Sequence, residues 1–240
     1  MDLVPTRTYI CCATPGMVAH KPKTAAIVKC PICGSPAVHF WFKKSGYPIY
    51  RCGACYSAFV WPRPLPEQLT AVYESALYGR DAHTQSEAQY RPSGHDDAEL
   101  IIARCKVLTS GRRFLDIGAG EGLLSRIAID HGFEVEAIEP NERLRQSFLV
   151  LNGIIPHAGF FDAALTARIA GQYDVAALSQ VLEHLSDPLA ITELLKRVLT
   201  PSGVVFIGVP HFGSLVSKYQ DATICTSRHL NISIFSQCMD

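Results

Sequence analysis

No stretch of this 240-residue chain is apolar over the eighteen or so residues that a membrane-crossing helix needs, which excludes a helical span within it. Neither sign of charge dominates: 22 Lys and Arg stand against 22 Asp and Glu. The first 29 residues lack a continuous hydrophobic segment closed by small residues, so a secretory signal is not expected. Residues 1–28 read as a flexible leader, and the location expected is cytoplasmic. Acidic residues are missing altogether between Lys21 and Pro66. What is abundant is apolar: 48% hydrophobic residues suffice for the packed core of one or two domains.

Nine cysteines would imply disulfides in a small secreted protein, but four of them are ordered differently. Cys30-Pro-Ile-Cys33 and Cys52-Gly-Ala-Cys55 are two knuckles separated by eighteen residues, the spacing of a zinc ribbon. Each C-x-x-C turn brings two thiolates to one side of a tight loop, and two turns complete a tetrahedron. Four sulfur ligands leave no open position, so a zinc held there is structural rather than a water activator. Cys11, Cys12, Cys105, Cys225 and Cys238 show no such order and read as packing residues.

The acid-free stretch carries Lys21, Lys23, Lys29, Lys43, Lys44, Arg51 and Arg63, interleaved with Phe40, Trp41, Phe42, Tyr47, Tyr50, Tyr56, Phe59 and Trp61. Cations with aromatics follow phosphates and stack on bases, which raises RNA as a partner. Two considerations favour a structural explanation. Four thiolates on one zinc contribute about minus two charges, and a domain of about 35 residues needs its aromatics for a core.

The apolar run Phe114-Leu-Asp-Ile leads into Gly118, Gly120 and Gly122. Glycine permits positive φ and removes the Cβ that would hold a ligand away, and the helix that opens next turns its N–H groups toward the same place. A nucleotide-type cofactor is the first inference. The dehydrogenase fingerprint wants its third glycine one place later, where this chain has Leu123, which weakens a pyrophosphate-binding reading. Asp116, at the carboxyl end of the strand, suits a cationic ligand such as the ammonium of S-adenosylmethionine.

These residues resemble the first motif of class I S-adenosylmethionine-dependent methyltransferases. Further matches follow in order. Glu139 ends a second strand about twenty residues beyond the glycines, as expected for a carboxylate holding a ribose diol, and is followed by Pro140. Tyr173 to Pro188 resembles the fourth strand and loop of members with an E-H-L-x-D-P signature. Ribbon, Pro-Arg-Pro and a helix ahead of the core resemble the layout of bacterial small-molecule methyltransferases. The resemblance implies an α/β fold with a doubly wound, mostly parallel Rossmann-like sheet, and methylation of a small molecule at oxygen or carbon, such as a sugar nucleotide or a polyketide-type intermediate. It implies that Asp116 binds the methionine ammonium, that Gly118, Gly120 and Gly122 pass beneath the cofactor, that Glu139 holds the ribose and that Phe161 and Asp162 lie beside the adenine. Gln180 stands where the family often has an acid, in contact with cofactor or substrate. His184 is the candidate general base, with an ordinary pKa near 6.5, Glu183 its orienting partner and His229 a second candidate. Two alternatives remain open: an RNA methyltransferase, and a non-catalytic scaffold that binds RNA or a protein partner.

The expected organisation is a ribbon over 29–64, a helical linker or lid over 65–108 and the core over 109–240. Within it we expect helices over 65–78, 97–108, 121–131, 141–151 and 162–169, a polar linker over 79–94, and strands over 113–117, 134–139, 154–157, the Tyr173 segment and 204–209. Asp187-Pro188 supplies a cap and first residue for a helix with an Ile191, Leu194, Leu195, Val198, Leu199 stripe. His229 to Ser236 resembles the H-L-x-x-F-S stretch that precedes the family's last helix, so the core is expected to end early. An open edge on the fifth strand would then invite pairing with a second copy.

Overall fold

The computed structural model describes residues 28–44, 47–65, 67, 91–169, 172–185, 187–210 and 230–236. The expected helix over 65–78 and most of the polar linker lie outside them, as does His229.

The first unit is an antiparallel sheet of β1 (Val38–Lys44), β2 (Tyr47–Cys52) and β3 (Ala58–Val60), in that order. A register shift between Phe40 and Phe42 bends β1. Cys30, Cys52 and Phe59 pack on one side with Val38 and Tyr50, and Ile49 and Ala58 on the other with Trp41 and Phe42. Alternation of side chains across the strands makes both small cores from so few residues.

The larger unit opens with α1 (Arg91–Leu108) and β4 (Arg113–Ile117), then α2 (Leu123–Asp130), β5 (Glu134–Glu139), α3 (Glu142–Asn152), β6 (His157–Ala158), α4 (Ala163–Arg168) and β7 (Tyr173–Ser179). A single 3-10 turn (Leu182–His184), α5 (Ala190–Val198), β8 (Leu199–Pro210) and β9 (Leu230–Ser236) complete it. The sheet order is β6-β5-β4-β7-β8-β9, with every pairing parallel but the last. From central β4 the chain winds outward through β5 and β6, then returns to β7 and winds the other way. The reversal between β4 and β7 opens a crevice at the carboxyl ends of the strands, where doubly wound sheets bind ligands.

The pleat sorts side chains between two helical layers. Phe114, Val135, Val175 and Ala177 join Ile101, Ile102, Cys105 and Ile127 on one face, while Leu115, Ile117, Ala176 and Leu178 join Leu165, Ile191, Leu195 and Val198 on the other. Strands buried on both faces read as continuous apolar runs, as β7 and β8 do. Asn141 caps α3 by accepting from Leu144 N–H at 3.1 Å, Asp162 caps α4 by accepting from Leu165 N–H at 2.8 Å, and Asp187 accepts from Leu189 and Ala190 N–H at 3.1 and 3.2 Å ahead of α5.

Two expectations change. The helix expected from Asp97 begins at Arg91, so Gly94, assigned to the polar linker, is helical, and α1 is a wall of the core that buries Ala98, Ile101, Ile102 and Cys105. Residues 230–236, expected to lead into a helix, form β9 and pair antiparallel with β8 from Val204↔Ser236 to Pro210↔Leu230. The reason is written in Leu-Asn-Ile-Ser-Ile-Phe-Ser, whose first five residues alternate apolar and polar at the strand period. The edge of β8 proposed for pairing with a second copy is therefore already occupied. Among the described residues no helix is long and apolar enough to cross a membrane.

Candidate active site and metal centre

The metal site is built by two turns. Cys30, Cys33, Cys52 and Cys55 bring their sulfurs within 4.8 Å of one another, with Cys30 Sγ 3.5 Å from Cys55 Sγ and Cys33 Sγ 3.6 Å from Cys52 Sγ. Tetrahedral zinc with bonds of about 2.3 Å places sulfurs roughly 3.8 Å apart, so this donor set fits zinc. Ile32 N–H points at Cys30 Sγ (3.4 Å), and Ala54 and Cys55 N–H point at Cys52 Sγ (3.4 and 3.5 Å). Burial opposes ionisation of both buried thiols; it pushes Cys30 up to about 12, whereas the Cys55 and Ala54 N–H groups prevail at Cys52 and bring it down to about 6.

The second site lies in the crevice. A cavity of about 560 Å³ is lined by Gly118 and Gly120 after β4, Ile138, Glu139 and Pro140 at the end of β5, Phe160 to Ala163 ahead of α4, Gln180, Val181, His184 and Leu185 after β7, and Asp187, Ala190, Ile191 and Leu194 at the start of α5. Its walls are mostly apolar, and Glu139, Asp162, Gln180, His184 and Asp187 supply the polar side chains.

Glu139 anchors the glycine loop. Its carboxylate accepts from Gly120 N–H at 2.9 Å and from Asn141 N–H at 2.8 Å, tying the loop after β4 to the start of α3. Burial raises its pKa, against the pull of those N–H groups. Gly118, Gly120 and Gly122 all have positive φ, of 70°, 57° and 92°. They differ in surroundings. A Cβ on Gly120 would meet nothing within 4 Å, so bare backbone faces open cavity, whereas one on Gly118 would strike Val181 and one on Gly122 would strike Phe148 and Asn152. Gly122 lies off the cavity and serves close packing of α2 against α3.

Asp116 does not line the cavity. It shares the Phe114 side of the pleat, is 2% exposed, and accepts a hydrogen bond from Ser125 Oγ on α2 at 2.6 Å. Through that bond its carboxyl ties β4 to α2. Burial, against the Ser125 bond and with help from the Glu139 charge, raises its pKa to about 6.

Gln180 stands out. It is a non-glycine residue with φ of +58°, its N–H donates to Gly208 O at 2.8 Å, and its side-chain Nε2 is buried with no hydrogen-bond partner among the described residues. Strained backbone and an orphaned donor are each costly, and both occur at the cavity wall. His184 also lines the cavity, and burial lowers its pKa from 6.5 to about 4, so the ring is neutral at pH 7. That corrects the ordinary value assumed for a base. Glu183 is 4% exposed and off the cavity; its Oε1 is 4.0 Å from His184 Nε2, an electrostatic neighbour rather than a hydrogen-bond partner. Pro140, Phe161 and Asp162 line the cavity. Sequence reasoning missed the wall formed by Leu185 after the 3-10 turn and by Ala190 and Leu194 on α5; of these only Leu194 had a signal, in an apolar stripe that also serves the core.

Asp116 and His184 titrate in opposing directions. A carboxyl whose folded pKa rises from 3.8 to about 6 withdraws stability as pH climbs through that window; an imidazole whose folded pKa falls from 6.5 to about 4 withdraws it as pH drops through its own. Each amounts to about 3 kcal/mol, so their sum is nearly level between pH 4.5 and 6. Urea titrations across that range should therefore slope upward with pH in Asp116→Asn and downward in His184→Asn. Parallel curves for both variants would contradict the two burial effects.

A protein-family profile described as "Methyltransferase domain" matches residues 88–237. The ubiquinone biosynthesis O-methyltransferase of Psychrobacter arcticus is 34% identical over 101 residues, 40% of this chain and 39% of that protein. Its counterpart in Paraburkholderia phymatum is 35% identical over 117 residues, 45% of this chain and 50% of that one. The chain thus spans about half the length of the curated relatives it matches. Among solved structures, the plantazolicin methyltransferase BpumL in complex with SAH aligns with a TM-score of 0.49 at 18% identity, covering 62% of this chain and 60% of that one. The profile covers the whole of the six-stranded unit from α1 to β9, glycine loop, Glu139 and the E-H-L turn included, and on that match the chain belongs to the methyltransferase domain family.

Proposed function

We propose that the chain transfers a methyl group from S-adenosylmethionine to a small-molecule acceptor, at oxygen in the reading favoured by the names of its relatives. The observation that carries this is Glu139: a buried carboxylate at the cavity edge whose oxygens hold the backbone N–H groups of the glycine loop and of α3, beside a Gly120 that leaves room for a ligand against bare main chain. These residues fit an adenosyl group, with Glu139 accepting from the ribose diol, Phe161 and Asp162 flanking the adenine and Gly118 and Gly120 beneath. S-adenosylmethionine, when bound, supplies a methyl already activated on a sulfonium whose charge disappears in an in-line displacement.

The remaining task of the chain is alignment and removal of one proton. Gln180 presents a side-chain amide beside the cavity, and a ligand oxygen would satisfy its orphaned donor. His184, neutral at working pH, accepts the proton of the acceptor hydroxyl at a ring nitrogen. The apolar wall of Leu185, Ala190 and Leu194 excludes water and suits an aromatic or alkyl acceptor body. Four cysteines kept as thiolates fit a cytoplasmic setting. In domain terms we propose a ribbon over 29–64 that is distinct from the core. The test is transfer of labelled methyl to a panel of phenols and catechols: His184→Asn should lower kcat by about 100-fold or more with little change in cofactor affinity. Equal kcat in the variant would remove His184 from the proton step, and no labelled product from the unmodified chain with any acceptor would count against the assignment.

A further inference from the structure

The two zinc knuckles are near-copies in backbone terms. In the first, Gly34 N–H donates to Cys30 O and Cys30 N–H to Ser35 O, both at 2.9 Å; in the second, Tyr56 N–H donates to Cys52 O at 3.0 Å and Cys52 N–H to Ser57 O at 2.9 Å. Each turn drives the residue after its second cysteine into the left-handed region, with φ of 70° at Gly34 and 63° at Tyr56. Glycine occupies that region freely, whereas a residue with a side chain is strained there. A Cβ on Gly34 would meet nothing within 4 Å, so the knuckle itself does not call for a large side chain at this position. Tyr56 nevertheless holds an aromatic ring there, and the residue is 43% exposed. Strain kept at an exposed position points to what the ring meets outside the fold.

Among its contacts inside the ribbon is Arg51. The guanidinium carbon lies 5.1 Å from the Trp41 ring centroid and 5.7 Å from that of Tyr56, so two aromatic rings orient the cation. Arg51 makes no ion pair among the described residues, and there is no acidic residue from Lys21 to Pro66 to provide one. Directly across the strand pair from Arg51 is His39, which is exposed, and Lys29 is exposed beside the first knuckle.

We propose that this face of the ribbon binds single-stranded nucleic acid, with a base stacked on Tyr56 and a phosphate bridged by the Arg51 guanidinium. The exposed ring favours a base over an acidic peptide, because a carboxylate has no π-face to stack. A ribbon without an acidic residue, with Lys29 and Lys43 exposed besides Arg51, favours a strand over a single nucleotide, because successive phosphates add while one phosphate gains little. This site is separate from the crevice after β4 and β7, so it stands or falls independently of the methyl-transfer assignment.

The experiment is fluorescence anisotropy of the zinc-loaded full chain with an oligouridylate of about ten nucleotides, a length that spans the site sizes of stacking platforms. Binding should weaken with salt at a log–log slope of about −1.4 to −2.1, the value for two to three phosphates. Tyr56→Gly restores the residue that the first knuckle uses, so it should keep one zinc per chain and an equal or higher melting temperature while losing about tenfold in affinity. Arg51→Lys, which keeps the charge but not the planar stack, should lose a similar amount. Unchanged affinity in Tyr56→Gly, full competition by uridine monophosphate at the same nucleotide concentration, equal binding of polyglutamate, or no binding of the strand would each overturn the proposal.

Discussion

Replacing Glu139 by alanine is expected to weaken S-adenosylhomocysteine binding by about a hundredfold or more in calorimetric titration, the product of two lost charge-assisted hydrogen bonds at roughly 1.5–3 kcal/mol each. The carboxylate has two tasks at once. In the proposed role it accepts from a ribose, and it already accepts from Gly120 and Asn141 N–H, so its removal also releases the backbone on which the cofactor would rest. Glu139→Gln separates the two: its single amide oxygen can still accept from one of the N–H groups, but its NH2 faces the other as a donor, so affinity should fall to an intermediate value. Melting temperatures of both variants report whether the sheet survives. Equal affinity in the unmodified chain and Glu139→Ala would move the cofactor away from the end of β5.

Removing zinc should unfold the ribbon. Its three strands bury only a handful of apolar residues on each side, Cys30, Cys52 and Phe59 on one and Ile49 and Ala58 on the other, which is too little core for a unit of this size to stand alone. Structural zinc supplies about 10–16 kcal/mol of apparent binding free energy, and most of that is folding free energy of the ribbon. Elemental analysis is expected to find one zinc per chain, and Cys52→Ser to lose it. Chelation should abolish the near-ultraviolet circular dichroism of Trp41 and Trp61, both packed in the ribbon cores, while a thermal transition from the six-stranded unit persists. A ribbon signal unchanged by chelator would show that the four cysteines hold nothing.

Both predictions concern residues that were legible in the sequence, but for different reasons. The cysteines were legible because a tetrahedral thiolate site demands two close pairs, and C-x-x-C is nearly the only way a turn can supply one. Glu139 was legible because the end of the second strand of a doubly wound sheet falls at a predictable distance from the glycine loop. Strands 113–117 and 134–139 emerged with the expected bounds, since Gly111 and Gly132 ahead of them and Gly118 and Pro140 directly after them punctuate each run. The third strand shrank to His157–Ala158, and α1 gained six residues at its start, because ends are decided by which neighbours pack there rather than by the local pattern.

Asp116 illustrates the limit. Its position beside the glycines suggested contact with a ligand, yet one step of the pleat directs the side chain under α2, and parity along a strand cannot be turned into a facing direction until the layers above and below are known. His184 was found by its signature, but its pKa was not, since that depends on how much apolar surface gathers round the ring. The strained φ of Gln180 and of Tyr56 had no sequence signal at all.

By itself, then, the sequence determined the periodicities, the zinc ligands and the glycine loop, because each is fixed by chemistry between residues near in the chain. Only the tertiary structure decided that β9 closes the edge of β8, that Asp116 braces β4 against α2 and that Arg51 lies against two rings. Those outcomes rest on contacts between distant segments, where burial and pairing geometry override what any one segment would choose alone.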